Sequence, residues 1–364
     1  MAFSLSSAFF GLKKNTNNIP KKTVGIDIGS ASVKVVEIEQ TNEALMLRTY
    51  GELQLGPYAG KPLGESVLLD NKKKTEAVID VIREARVTAN HGALAMPISS
   101  SFMTVIPLTI KEGEDISSRI PVEARKFIPI PLNDVSLDWT ELPQLNDVES
   151  NIREVLLAAI ENKSLAEYKE VLSVIGMTSE ASEIEAFSLA RALWKNNDTT
   201  LAVIDIGAKT SKLYIVRNGT LERIHRIANG GAQISRRVSE LVGVTFEEAE
   251  NLKRSYTKES TNARDIHKAM ASVLEGILQE FKRILNQYEA RQGAPIGRIV
   301  FSGGVSASPF FLSYTKDTLG VEVEIGNPFS KVAYPAFMED VLTSVAPTFG
   351  VSLGAALRQF EYNS

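Results

Sequence analysis

The sequence predicts an α/β protein of two strand-rich lobes facing each other across a cleft, with a small α+β module inserted in the first lobe. Three observations carry this. Val24-Gly25-Ile26-Asp27-Ile28-Gly29-Ser30-Ala31-Ser32-Val33-Lys34 recurs in kind as Ala202-Val203-Ile204-Asp205-Ile206-Gly207-Ala208-Lys209-Thr210-Ser211-Lys212. In both copies an apolar strand delivers an Asp, a Gly follows two residues on, and a Lys follows seven on, before a second apolar strand. A later strand, Ile299-Val300-Phe301, runs into Ser302-Gly303-Gly304, and the composition between the two repeats suits a separate unit.

The chain has 364 residues, 44% of them hydrophobic, enough for two domains with real cores. A net charge of -4 provides no positive excess for general nucleic-acid binding. With no cysteine, a disulfide framework and a zinc-thiolate site are excluded, and the composition suits a reducing cytosol. His91, His225 and His267 are scattered and lack metal-ligand spacing. No apolar run reaches the length of a membrane-spanning helix.

Residues 1–22 read as a tail. Phe3, Phe9, Phe10 and Leu12 precede Lys13 and Lys14, an order unlike a signal peptide; the segment reads as a frayed tail or a strip on the body, with a membrane-surface contact as the alternative. Strands follow at 23–28, 33–39 and 44–51. Glycines and prolines from Gly56 to Gly64 mark a long loop. Ala77, Val78, Val81, Ile82 and Ala85 give a helix over 75–86 its apolar side. A buried strand at 93–96 ends at Pro97.

Residues 98–176 form the inserted module. It reads as a strand at 102–106, a helix over 114–127 with a break or restart at Pro121, strands at 135–139 and 155–160 separated by a polar turn at 146–151, and a helix over 164–174. Residues 177–198 return to the first lobe through a helix over 184–194. The polar Asn196-Asn197-Asp198 is the boundary between the lobes.

The second lobe comprises 199–228 and 291–346, with 229–290 as its own subdomain. Strands at 201–206, 211–216 and 221–227 include an Asn218-Gly219 hairpin turn. A helix follows Gly230 and Gly231. Thr245 and Glu248 form a capping box for a helix over 246–254, and Ile266 to Leu285 stripe a long helix over 263–288. A terminal helix within 347–360 packs back on the first lobe.

A carboxylate at the end of an apolar strand is costly to bury without a partner, so Asp27 and Asp205 suggest a Mg²⁺ ion held directly or through water. The Gly29–Ser32 turn exposes backbone N–H groups suited to phosphate, Ser30 and Ser32 add hydroxyls, and Lys34 adds charge. Two hairpins with polar turns are the plain alternative. Neither a GxxxxGKS/T loop nor a Rossmann fingerprint is present.

The order of hairpin, connecting helix, second hairpin and Gly-Gly segment resembles the actin, Hsp70 and sugar-kinase superfamily. That implies an actin-like ATPase fold, two ribonuclease H-like lobes around a nucleotide cleft. The module resembles the inserted subdomain of the cell-division protein FtsA. Asp27-Ile28-Gly29-Ser30, Val35-Val36-Glu37, Glu123-Ala124-Arg125-Lys126-Phe127-Ile128-Pro129, Glu185-Ala186-Phe187 and Ser302-Gly303-Gly304 are similar to the PilM family of type IV pilus assembly.

The resemblance implies ATP and Mg²⁺ as cofactors. It assigns Asp27, Gly29, Ser30, Ser32 and Lys34 to the first phosphate motif and Asp205, Gly207, Lys209, Thr210 and Ser211 to the second. Gly303, Gly304 and Val305 line adenosine. Gly230 and Gly231 open the mobile subdomain, and Glu250 and Lys253 contact ribose or base. Glu185, at the start of the connecting helix, orients a hydrolytic water or is simply a carboxylate favoured by the helix dipole. A slow Mg-dependent ATPase is implied at most.

The implied partner is the short cytoplasmic tail of the membrane protein PilN, and through it PilO and the pilus motor platform, with self-association also open and no nucleic acid. The chain would then sit in the cytoplasm, peripheral to the inner membrane. Phe102, Val105, Arg125, Phe127 and Ile130 are the groove candidates between module and first lobe; each also suits module core, Phe127 most of all. An FtsA-like cell-division filament, a related type II secretion component and a small-molecule kinase are the competing readings.

Overall fold

The computed structural model describes residues 21–110, 114–143, 151–177 and 182–363. The expectations for the apolar tail, and most of the turn expected at 146–151, lie outside these residues.

The first lobe opens with β1 (Lys22–Ile28), β2 (Ser32–Gln40) and β3 (Leu45–Gln54), followed by α1 (Asn71–Glu84) and β4 (Gly92–Met96). The module contributes β5 (Ser101–Thr109), α2 (Ile116–Ala124), β6 (Val135–Glu141), β7 (Ile152–Glu161) and α3 (Asn162–Val174). The chain returns through β8 (Ser182–Ile184) and α4 (Glu185–Leu193). The second lobe runs β9 (Thr200–Ile206), β10 (Ser211–Arg217), β11 (Thr220–Ile227), α5 (Gly231–Val242), α6 (Phe246–Arg254), α7 (Ala263–Gln292), β12 (Arg298–Ser302), α8 (Pro309–Leu319) and β13 (Glu324–Ile325). It ends with α9 (Glu339–Val345) and α10 (Gly350–Leu357).

The lobes are topological copies. One five-stranded sheet has the order β3-β2-β1-β4-β8, the other β11-β10-β9-β12-β13. In each, the first three strands form an antiparallel meander and the last two add in parallel. The meander places the Asp directly across the ladder from the Lys, Asp27 opposite Lys34 and Asp205 opposite Lys212. Asn218 and Gly219 both take positive φ, 49° and 79°, so the expected hairpin turn is of the primed type that matches strand twist.

Local differences from the sequence reading have local causes. The first helix begins at Asn71 rather than near 75, because the Asp70 side chain caps it by accepting from the Lys73 N–H. Pro121 does not break its helix; α2 passes through it, starting from the Asp115 cap. Three-residue β8, α9 and the two-residue β13 are too short for periodicity to reveal. The capping box at Thr245 and Glu248 is present as expected.

The module is less separate than its sequence suggests. In its sheet, ordered β5-β7-β6, β7 is central and buried on both faces. Val155, Leu157 and Ala159 face the module's own core with Ile120 and Ala124 of α2. Leu156, Ala158 and Ile160 join the first lobe's core instead, as do Tyr168, Val171 and Leu172 of α3. Helix α3 is thus structurally part of the lobe. Glu154 of β7 also pairs with Arg291 of α7 at 2.6 Å, tying module to second lobe.

Helix α10 returns to the first lobe and lies between β1 and α4. Contact this close requires glycine on both sides. A Cβ on Gly25 would sit 1.8 Å from the Ser352 carbonyl oxygen, and one on Gly354 would sit 1.8 Å from that of Ser188. Beside this contact, buried Glu183 accepts from Ser188 Oγ at 2.6 Å and from Arg191 Nη2 at 3.0 Å, with Arg358 Nη1 3.6 Å away. Arg191 Nη1 donates to the Gly354 carbonyl at 3.0 Å. Burial alone would raise the Glu183 pKa; the Arg191 and Arg358 guanidinium groups outweigh it and hold the carboxyl below its ordinary range.

Candidate functional site

A cleft of about 670 Å³ separates the lobes. Its floor is built by the two hairpin turns, which have the same geometry. The Gly29 N–H donates to the Ser32 carbonyl at 3.0 Å, and the Gly207 N–H donates to the Thr210 carbonyl at 3.0 Å. Asp27, Gly29, Ser30, Ser32 and Lys34 line one side; Asp205, Gly207, Lys209 and Thr210 line the other.

The far wall comes from α5, α6 and the turn after β12. Gly303 has φ +89°, and a Cβ there would lie 2.3 Å from the Ile206 carbonyl oxygen, so the turn lies flat on the second hairpin. Gly303, Gly304 and Val305 line the cleft with Gly231, Glu250 and Lys253. Lys253 Nζ donates to Ser235 Oγ at 2.9 Å and to the Gly231 carbonyl at 3.2 Å, and it pairs with Glu250. Against burial, Lys253 and neighbouring groups hold the Glu250 carboxyl below its usual range.

Two expected contacts lie behind the surface. Ser211 is fully buried, and its hydroxyl donates to the Asn229 carbonyl at 2.8 Å. Gly230 is a packing glycine, since a Cβ would meet the Gly207 carbonyl oxygen at 2.4 Å. Neither lines the cleft, so the sequence pattern had the right turn but the wrong faces. Among the lining residues the sequence reading left unassigned are two cations, Lys212 and Arg254. Lys212 was visible in the repeat itself, and Arg254 stands one helical turn from Glu250.

The two lysines of the repeat are used differently. Lys34 Nζ turns to Ser32 Oγ at 2.6 Å and Glu52 Oε1 at 3.3 Å. Lys212 Nζ instead bridges Glu185 Oε2 at 2.7 Å and Asp205 Oδ2 at 3.2 Å. Burial opposes its charge, but the Glu185 carboxylate, with smaller help from neighbours including Asp205, holds the ammonium protonated well above the ordinary lysine range. Glu185 Oε1 accepts from the Ile98 N–H at 2.8 Å. Both carboxylate oxygens of Glu185 are therefore engaged.

The Asp27 carboxylate has no hydrogen bond or ion pair among the described residues. Burial, countered by Lys34 and reinforced by Glu185, raises its pKa to about 6. A lone carboxylate of this kind fits a hydrated divalent cation. Asp205 Oδ2, the other expected metal carboxylate, is paired with Lys212. No cluster of three or more His, Cys, Asp or Glu is placed to hold a metal among the described residues, so a cation here would take its other ligands from water and phosphate.

A pH dependence follows. A carboxyl raised in the folded state binds its proton more tightly than in the unfolded chain, so ionising it between about pH 4 and 6 lowers stability. A cation competes with that proton. Mg²⁺-supported nucleotide affinity, measured by calorimetry, is expected to weaken below about pH 6, and Asp27→Asn should flatten the profile.

The groove candidates are not brought to one wall. Strand alternation turns Phe102 toward the module core and Val105 toward the first lobe's core. Ile130 packs on the module core, while Arg125 is exposed. Phe127, expected inside, is 42% exposed because Ala124 and Ile128 take the inward positions. A separate groove of about 390 Å³ runs between α1 and the end of α3, lined by Ile79, Ile82, Arg83, Val87, Val174 and Ile175.

The family model described as type IV pilus assembly protein PilM matches residues 25–360. The chain belongs to the PilM family. Its structure is similar to that of a PilM-PilN type IV pilus biogenesis complex, with TM-score 0.76 and 23% identity over 93% of this chain and 98% of that one. It also resembles Spiroplasma citri MreB5 bound to AMPPNP, with TM-score 0.54 and 13% identity over 94% and 98% of the two chains. The cell division protein FtsA of Bacillus subtilis is 22% identical over 362 residues, 87% of this chain and 81% of the relative. These likenesses establish the actin-like ATPase fold of this PilM-family chain. No single helix among the described residues is long and apolar enough to cross a membrane.

Proposed function

We propose that this PilM-family chain is a cytoplasmic ATP-binding scaffold of the type IV pilus assembly machine, docking a short PilN-like tail at the inner membrane and, through it, PilO and the motor platform. The convergence of two matched phosphate turns, the flat Gly303 turn and the buried Glu250–Lys253 pair on one cleft supports the nucleotide reading. Asp27 would hold a hydrated Mg²⁺, which neutralises phosphate charge when bound. The turn N–H groups and Lys209 cradle phosphate, and Gly303, Glu250, Lys253 and Arg254 surround the nucleoside. Glu185 lines the cleft with its carboxylate held by the Ile98 N–H and Lys212, and it would orient a hydrolytic water from there if the nucleotide is slowly hydrolysed. Any self-association would be a further property of the scaffold.

The tail reading rests on the α1–α3 groove, where the last helix of the inserted sequence packs on the first lobe. Its apolar floor suits aliphatic side chains, and Arg86 at its edge suits an acidic one. Calorimetry with Mg-ATP and Lys253→Met tests the cleft, with at least about a tenfold loss of affinity expected. Titration of a labelled PilN-type tail against Ile79→Asp and Val174→Asp tests the groove. Full tail affinity in both variants, with loss in Val122→Asp or Phe127→Asp instead, would move the site to the exposed face of α2.

A further inference from the structure

The loop between β3 and α1 belongs to neither repeat, yet it crosses the cleft. Both of its ends are fastened to the first phosphate turn. The Leu55 N–H donates to the Ala31 carbonyl and the Val67 N–H to the Ser30 carbonyl, each at 2.8 Å. Between these roots the chain folds tightly on itself. A Cβ on Gly56 would lie 2.1 Å from the Pro62 carbonyl oxygen, and the Lys61 N–H donates to the Gly56 carbonyl at 2.9 Å. The tip then rests on the second lobe. Gly64, at φ +79°, comes so close to α6 that a Cβ would lie 2.6 Å from Glu250 Cδ. Next to it, Glu65 Oε1 stands 3.6 Å from Arg236 Nη2 of α5. Gly64, Val67 and Glu250 all line the cleft.

We propose that residues 55–67 form a strap across the nucleoside end of the cleft, so that a nucleotide enters and leaves when Gly64 and Glu65 lift from Glu250 and Arg236. This rests on the nucleotide reading above. Glu250 gives the tip a fixed seat, because its carboxylate accepts from Ser235 Oγ at 2.6 Å and from Arg254 Nε at 2.8 Å and pairs with Lys253. Gly64 is needed there twice over, for its positive φ and for the missing Cβ. The grip of the tip is weak. The Glu65 and Arg236 side chains are 22% and 45% exposed, and an ion pair open to solvent contributes little. The roots are backbone hydrogen bonds beside buried Leu55, so the tip opens before the roots do. Since the contact exists with the cleft unfilled, the strap governs rates of exchange more than equilibrium affinity.

The test is release of a fluorescent ATP analogue from the full chain in excess Mg²⁺, followed by stopped flow after a chase of unlabelled ATP. Glu65→Gln should speed release about two- to fivefold, the range an exposed ion pair supports. Gly64→Ala should speed it about fivefold or more, because the strap can no longer seat. Association should quicken alongside, leaving the calorimetric affinity within about threefold of the wild type. Glu65→Arg combined with Arg236→Glu should bring release back toward the wild-type rate, which a merely disordered loop would not do. Release unchanged in both Glu65→Gln and Gly64→Ala, or affinity lost without faster exchange, would overturn the strap while leaving the nucleotide reading in place. Absence of binding in the wild type would overturn the nucleotide reading itself, and this inference with it.

Discussion

Gly25→Val is expected to leave no cooperatively folded protein. The new Cβ would have to occupy a point 1.8 Å from the Ser352 carbonyl oxygen and 2.5 Å from the Ala356 nitrogen, both backbone atoms of α10. Neither can rotate aside, so helix and strand must separate along the first lobe's core. Overpacking with side-chain neighbours costs about 1–3 kcal/mol, and a backbone obstacle should exceed that range. Gly354→Val should behave alike against Ser188. Gly276→Ala is the control, since nothing lies within 4 Å of its Cβ position on the exposed face of α7, and a gain of about 0.5–1 kcal/mol is expected. Thermal melts followed by circular dichroism separate these outcomes; a cooperative Gly25→Val melt near that of the wild type would show that α10 does not pack as described.

Arg191→Met should remove about 3–5 kcal/mol of stability, the usual consequence of stranding one buried charge. The residue left behind is Glu183, which would keep Ser188 and the more distant Arg358 as its remaining neighbours. Urea titration measures the loss. Replacing Glu183 and Arg191 together by Met should cost less than Arg191→Met alone, because no unmatched carboxylate remains. The acid side of the stability profile belongs to the same group. The Glu183 pKa is lowered in the folded chain, so its contribution is complete above the pKa of the unfolded carboxyl and disappears as pH falls through the folded value. Arg191→Met should flatten that part of the acid limb.

The repeated hairpins, the Asn218-Gly219 turn and the Thr245 capping box were legible because each is specified within about ten residues of chain. The Gly303 turn was legible for the same reason. The direction of each lysine was not. Asp27 and Lys34 stand in the same register as Asp205 and Lys212. What separates the two pairs is Glu52 on β3 in one case and Glu185 at the start of α4 in the other. Those partners are supplied by tertiary packing, which a local pattern does not record. The same is true of α3, whose apolar stripe was clear but whose choice of the lobe over the module depends on α1 and β4. Phe127 was misread because an aromatic residue in an apolar run looks buried, whereas the turn after α2 presents Ala124 and Ile128 inward.

The return of α10 has a consequence for how the protein is made. A ribosome delivers β1 through α4 early, yet the surface of the first lobe that α10 covers stays open until residues 350–357 emerge. The second lobe, whose strands and long α7 are contiguous apart from this return, is complete sooner. Assembly therefore proceeds against the usual tendency of nascent chains to consolidate from the N-terminal end. Until those residues emerge, Val36 and Ile38 lack the cover that Leu353, Ala356 and Leu357 give them, and a product stalled short of α10 would present that apolar face to chaperones.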